Sequence, residues 1–360
     1  MADSPLIFQG IRSYVQGPGV LGSIGTYLGR WGPDIRTCIL IDRTLLSLLE
    51  PIRQSLAAAG VGSFVVEFDG DTRRQSVQSL ARQVGEGTRP DVVLGVGGGK
   101  TIDTAKILAS RLGSRCVICA ASSATDAAPS HAAVLLDANG RIEAETLEKN
   151  PDLVIVDSRL IASAPVRLFT AGIGDAISKK YEMDTAVQLG ERNAFGGRPV
   201  FFISGMADTL RHTLLQYGVE AKQSVEKGEL TEAVERVITA CVLLSTLVWE
   251  NGGLAGAHSI ANVLTDQGFA ARNLHGELVA FGLLVLLALQ GLHEERRKLD
   301  KFYRQIGLPR RIGDLGVAPE DREAVGKICR GVHERYKKHR LPYSVESIYG
   351  AIQILQSGEK

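Results

Sequence analysis

The sequence lacks the features of a disulfide-stapled, membrane-embedded or nucleic-acid-binding protein. Its five cysteines, Cys38, Cys116, Cys119, Cys241 and Cys329, are odd in number and follow no framework spacing, as expected of reduced thiols. The pair Cys116-Val-Ile-Cys119 lies in a strand-like run, RCVICA. An offset of three on a strand points the two side chains to opposite faces, so they cannot share a metal or close a bridge. Neither sign of charge dominates: 41 Lys and Arg against 40 Asp and Glu leave a net charge of +1, with no basic field to hold nucleic acid or an anionic membrane. The clusters HEERRKLDK (293–301) and ERYKKHR (334–340) are mixed or short, and read as solvated helix faces. The longest apolar run, LVAFGLLVLLALQGL (278–292), is shorter than the roughly 20 residues a bilayer span needs, and reads as a buried helix. The opening MADSPLIFQGIRS carries an acid near its start and no sustained apolar stretch, so no secretory signal is expected and a cytoplasmic location is. No internal repeat or low-complexity segment occurs.

What the chain does have is ordinary globular composition, 44% hydrophobic and 22% charged, over a length that suits two domains. Between about 36 and 157, short β-branched runs alternate with helical patterns: TCILID (37–42), SFVVEF (63–68), DVVLGV (91–96), CVICA (116–120) and DLVIVD (152–157). Such alternation predicts an α/β domain with a parallel sheet covered by helices. Beyond about 165 strand-like runs largely disappear and long helical periodicities take over, as in 227–250, which predicts a mostly helical domain. The expected domains are 1–162 and 163–360. The junction 158–176 contains a proline and two glycines but no long polar linker, so the domains are expected to pack closely around a cleft.

The stretch Gly95-Val-Gly-Gly-Gly-Lys-Thr-Ile-Asp-Thr-Ala-Lys106 follows one of these strand runs and precedes a helical pattern beginning near Thr101. It fails the nucleotide-triphosphate P-loop pattern, because Leu94 stands where the first glycine belongs, and it fails G-x-G-x-x-G at Lys100 and again at Ile102. Three consecutive glycines still let the backbone approach an anion at a helix N-terminus, which favours phosphate; a tight strand-to-helix turn is the alternative. Asp42 ends the first good strand. An acid there accepts hydrogen bonds from an adenosine ribose and repels a 2′-phosphate, favouring NAD over NADP, or else caps the next helix.

Of seven histidines, His212, His293, His333 and His339 sit in typical exposed settings, and His131 lies close to a candidate loop. His258, in NGGLAGAHSIANVLT, and His275, in ARNLHGELVAFG, lie among small and apolar residues, where an imidazole needs a partner for its nitrogens. Taken alone, each reads as a satisfied core histidine more often than as a ligand. Asp175, in AGIGDAISKKYE, follows Gly-Ile-Gly where a helix is expected to begin. One carboxylate and two imidazoles make three ligands with a fourth position open, the arrangement of a catalytic Zn²⁺ site.

Taken in order, GVGGGKTIDTAK, SATDAAPS, AGIGDA, GGLAGAHSIANVLT and NLHGELVAFG resemble the motifs of glycerol dehydrogenases within the iron-containing alcohol dehydrogenase superfamily. Similarity extends through YVQGPGVLGSIGTYL and VIVDSRLIASAPVRLF and so spans most of the chain. The resemblance implies an α/β N-terminal dinucleotide-binding domain with a parallel sheet and an all-α C-terminal metal-binding domain, the fold shared with dehydroquinate synthase. It implies NAD as cofactor, and Asp175, His258 and His275 as metal ligands with catalytic roles. Asp126 of SATDAAPS corresponds to the substrate-contacting aspartate. The cofactor set so implied is Asp42, Gly97, Gly98, Gly99, Lys100, Thr101, Asp103, Ala121 and Ser130. A small-molecule substrate and a homo-oligomeric assembly follow from the same resemblance.

The chain departs from the family pattern at several places. The superfamily's iron enzymes carry a histidine four residues after the ligand aspartate, where this chain has Lys179, so zinc is expected over iron, with Fe²⁺ as the alternative. Ala120 and Ala121 replace a Pro-Thr pair, Ala261 replaces a histidine, Leu136 stands in place of a tyrosine, and His131 is a newcomer. The expected activity is interconversion of a small polyol or vicinal diol with its ketone. One alternative is a 2-hydroxy acid dehydrogenase in which Lys179 or His131 meets the carboxylate. Another is an NAD-using sugar-phosphate cyclase, disfavoured because those enzymes usually present glutamate as the first ligand.

Overall fold

The computed structural model describes residues 4–87, 89–138 and 142–356. Two compact units emerge: one is Gly10–Ala164, and the other joins the described residues up to Gln9 to those from Pro165 onward. The expected N-terminal domain began at residue 1. Residues 4–9 pack instead with the second unit, because Ile7 donates its N–H to Arg198, Arg198 donates to Pro5, and Gln9 bonds Asn251 through its own backbone.

In the first unit, β1 (Tyr14–Gly17), β2 (Arg36–Asp42), β3 (Gly62–Phe68), β4 (Val92–Gly97), β5 (Arg115–Ala120) and β8 (Leu153–Asp157) form one sheet in the order β1-β8-β5-β4-β2-β3. Every pairing in it is parallel. All five strands expected from the β-branched runs are present. β1 and the antiparallel hairpin of β6 (Ala132–Leu136) and β7 (Ile142–Thr146) lie outside those runs. β1 has only four residues, and β7, IEAET, is largely exposed and polar, so neither shows the apolar run of a buried parallel strand. β4 is buried along its whole length. One face of the sheet, including Ile39, Ile41, Leu94, Val96 and Cys119, packs on Ile24, Leu28, Ile52 and Leu56. By strand alternation Cys116 points to the other face, and burial pushes both thiols up to about 12.

The strand order reverses between β2 and β4, which lie side by side although the chain runs outward to β3 between them. In open α/β sheets this switch point, at the carboxyl ends of the strands, is where ligands bind. β2 ends there at Asp42 and β4 at Gly97. The helix α1 (Gly99–Leu112) starts two residues later.

In the second unit, α2 (Val166–Gln188), α3 (Ala257–Asp266) and α4 (His275–Leu289) bear on function. The long apolar run forms α4, and its residues Gly276–Ala288 are buried on all sides, as a helix apolar all round must be. No single described helix is long and apolar enough to cross a membrane.

The sequence pattern places a helix start near Asp175. Instead α2 begins at Val166, directly after Pro165, and Asp175 lies in its middle. Pro fits a helix start because its missing N–H has no partner to lose there. The misleading glycine serves close packing. A side chain on Gly174 would meet the Gly276 carbonyl at 2.6 Å, and one on Gly276 would overlap the Ala171 carbonyl. α2 and α4 thus touch backbone to backbone.

Gly276→Ala is expected to destabilise the protein by about 1–3 kcal/mol or more, because backbone cannot yield as a flexible side chain does. Gly205 is exposed in the helix Ile203–Glu226, and a Cβ added there would have nothing within 4 Å, so Gly205→Ala should stabilise by roughly 0.5–1 kcal/mol. Urea unfolding of the two variants reads the contrast.

Candidate metal centre and cofactor turn

Asp175 comes from the middle of α2, His258 from the first turn of α3 and His275 from the first residue of α4. One ligand atom from each lies within 4.8 Å of the others. The rings of His258 and His275 are 5.4 Å apart between centroids. Asp175 is buried, His258 partly so, and His275 is exposed.

A fourth residue, which the motifs do not single out, organises the trio. Glu182 is fully buried on α2, seven residues and therefore two turns beyond Asp175. It accepts the backbone N–H of His258 at 2.9 Å through Oε1. Its Oε2 accepts the His258 Nδ1–H at 2.5 Å and the Ser178 hydroxyl at 2.9 Å. Anchoring Nδ1 turns Nε2 toward Asp175 Oδ1, 3.1 Å away. Carboxylates that hold the far nitrogen of a ligand histidine orient the ring and raise its basicity. Helical spacing is the signal that could have found Glu182.

Electrostatics sort the three ligands. Burial opposes charge on Asp175, but Lys179, then His258 and His275, hold its carboxyl well below the usual range. Burial also opposes a charged His258, yet Glu182, and then Asp175, raise it to about 9 against Lys179. A cation on Nε2, whether proton or metal, is therefore what the two carboxylates favour. His275 goes the other way, lowered to about 4 by burial and by the neighbouring cations His258 and Lys179, so its ring is neutral at pH 7. One carboxylate and two imidazoles within a single ion's reach, with a carboxylate orienting one ring, fit a divalent metal. Lys179, one turn after Asp175, also stands at this site. Its Nζ donates to Asp175 Oδ1 at 2.8 Å and lies 2.9 Å from His258 Nε2.

In the first unit, the expected cofactor residues group at the switch point. Gly98 is the extended residue before α1 and offers no side-chain cap, so the first amides of that helix remain available to an anion. Lys100 is exposed and Thr101 buried, with the Thr101 hydroxyl 3.5 Å from Asp42 Oδ2. Asp42 caps the following turn as well, because its Oδ1 accepts from the Thr44 N–H and hydroxyl at 2.9 and 2.6 Å. Ala121 begins the next loop and donates its N–H to Gly97 at 2.9 Å. Half-buried Asp126 lies in the same loop, between β5 and β6.

Asp103 and Ser130 have other partners than the glycine turn. Asp103 is buried in an ion pair with Lys106, at 3.0 Å, and accepts the Val134 N–H at 3.1 Å. Burial pushes its carboxyl up despite Lys106. Lys106, missed by motif reading though it stands one turn away at i+3, donates to the carbonyls of Ala127, Ser130 and Ala132. The Ser130 hydroxyl accepts the Ala132 N–H. Together Asp103 and Lys106 tie α1 to the loop that carries Asp126. His131, just after this loop, is buried at 3% exposure.

The family model "Iron-containing alcohol dehydrogenase" matches residues 12–158. Glycolaldehyde reductase of Halobacterium salinarum is 35% identical over 86% of this chain and 85% of its own length. Glycerol dehydrogenase of Thermotoga maritima is 34% identical over 94% of each chain. The crystal structure of a probable glycerol dehydrogenase from Sinorhizobium meliloti superposes with a TM-score of 0.89 at 34% identity, covering 98% of both chains.

Glu182→Gln is expected to weaken zinc binding roughly 10–100-fold, because the His258 ring loses its anionic anchor; competition against a chromophoric chelator measures this. Lys106→Met strands Asp103 as a buried, unpaired acid and should cost about 3–5 kcal/mol. Adding Asp103→Asn should recover part of that loss in the same unfolding assay.

Proposed function

Because the chain belongs to the iron-containing alcohol dehydrogenase superfamily, in its glycerol dehydrogenase-like branch, and is therefore an alcohol dehydrogenase, we propose that it oxidises a small polyol or vicinal diol reversibly, with NAD and zinc. The convergence of Asp175, His258 and His275 carries this reading. When bound, a divalent metal supplies Lewis-acid polarisation of an alcohol oxygen, and nicotinamide accepts the hydride.

The chain's own residues do the rest. Asp175, His258 and His275 hold the metal, with His275 neutral and Glu182 keeping the His258 Nε2 turned inward. Three protein ligands leave a coordination position for substrate, which favours zinc in the catalytic arrangement. The uncapped amides after Gly98 bind the pyrophosphate, and the exposed Lys100 adds positive charge beside it. Asp42, with one oxygen committed to the cap, presents the other to the ribose and disfavours a 2′-phosphate. On the family resemblance Asp126 contacts the substrate.

A diol is preferred to a 2-hydroxy acid because both side chains that could meet a carboxylate, Lys179 and His131, are buried. An assembly of identical subunits is part of the proposal, on the family resemblance.

Purified protein should reduce NAD with glycerol or a vicinal diol faster than with 2-hydroxy acids, and should contain about one zinc per chain. Asp175→Ala should lose the zinc and at least hundredfold in kcat/KM. Full activity of that variant, or turnover of 2-hydroxy acids alone, refutes the reading.

A further inference from the structure

Lys179 has no role in holding substrate or cofactor on the reading above, yet its placement is not incidental. Its side chain is 2% exposed, and its Nζ lies 2.8 Å from Asp175 Oδ1 and 2.9 Å from His258 Nε2. Those two residues supply two of the three ligand atoms of the metal reading. The lysine reaches them from the next turn of the same helix, so the rigid α2 backbone sets its position.

Around this point lie two fully buried carboxylates, Asp175 and Glu182. Buried anions without a cation are strongly destabilising; the Lys179 ammonium answers Asp175 and the His258 ring answers Glu182. A divalent ion on the same atoms answers Asp175 too. The two cannot act together, because a +1 and a +2 charge sharing one carboxylate oxygen and one imidazole nitrogen repel at close range in a weakly screened interior.

We propose that Lys179 is a built-in competitor for the metal: its ammonium pairs with Asp175 in the space beside His258 Nε2 and is displaced when a divalent cation binds. This chain therefore keeps a folded, charge-balanced site without metal and takes metal up less tightly than the same three ligands would without the lysine. The proposal rests on the reading of Asp175, His258 and His275 as a metal site.

Full-length protein stripped with a chelator is titrated with zinc against a chromophoric competitor, as wild type, Lys179→Met and Lys179→Arg. The Met variant should bind zinc about tenfold or more tightly than wild type, a difference of about 1.4 kcal/mol or more, and the Arg variant should stay weak. In chelator the Met variant should melt below wild type, and zinc should raise its melting temperature by more than it raises the wild type's. Unchanged or weaker zinc binding by a folded Met variant overturns the proposal, since the lysine is then neutral or a helper. If the Met variant folds only in zinc, Lys179→Gln gives the same comparison. Zinc binding that survives Asp175→Ala in every background locates the metal elsewhere and fails the site reading itself, a result distinct from failure of the lysine.

Discussion

The helical unit depends on one close contact, the meeting of α2 and α4 at Gly174 and Gly276, where neither helix has room for a side chain. Interiors are packed to crystal density, so a contact between backbones admits little adjustment. Asp175 is one residue from Gly174, and His275 one residue from Gly276. The ligands therefore inherit their spacing from the tightest point of the packing, and the apolar α4 provides the buried surface that keeps it closed. Sites carried on such rigid elements hold their geometry better than sites carried on loops.

The same burial sets the electrostatic problem that the site solves. Asp175 and Glu182 lie on one face of α2, both shut away from water, and each would be neutral or destabilising without cations beside it. His258 answers Glu182 through Nδ1, and Lys179 answers Asp175. A ring anchored on one nitrogen presents the other in a fixed direction, which turns a structural hydrogen bond into preparation for a ligand. His275 also feels Asp175, but desolvation and the cations His258 and Lys179 outweigh it and the ring stays neutral.

The α/β unit follows a different logic, in which topology makes the site. Where β2 and β4 part, Asp42 and the glycine turn meet because their strands end side by side, and α1 aims its free amides at that point. Lys106 reaches from α1 to three carbonyls beyond β5, so the glycine turn and the loop bearing Asp126 rest on one helix. Two residues that motif reading assigned to the cofactor, Asp103 and Ser130, take part in this internal bracing.

Periodicity and local chemistry were enough to read the five parallel strands, the glycine turn and the buried nature of α4, and to single out Asp175, His258 and His275 as candidates, because each is written in adjacent residues. The short β1 and the polar β7 carried too little apolar pattern to be seen. Gly-Ile-Gly before Asp175 read as a helix start, since glycine's usual local meaning is a break, whereas here its missing side chain answers to Gly276 about a hundred residues away. Glu182 and Lys106 stayed hidden for a related reason: a buried charge is recognisable only through the partner that neutralises it, and those partners come from other elements. The sequence by itself determined the types of chemistry available and the order of the elements that carry them. Which carboxylate faces which imidazole, and that Lys179 stands among the ligands, only the tertiary structure decided, because such contacts depend on how separate helices pack.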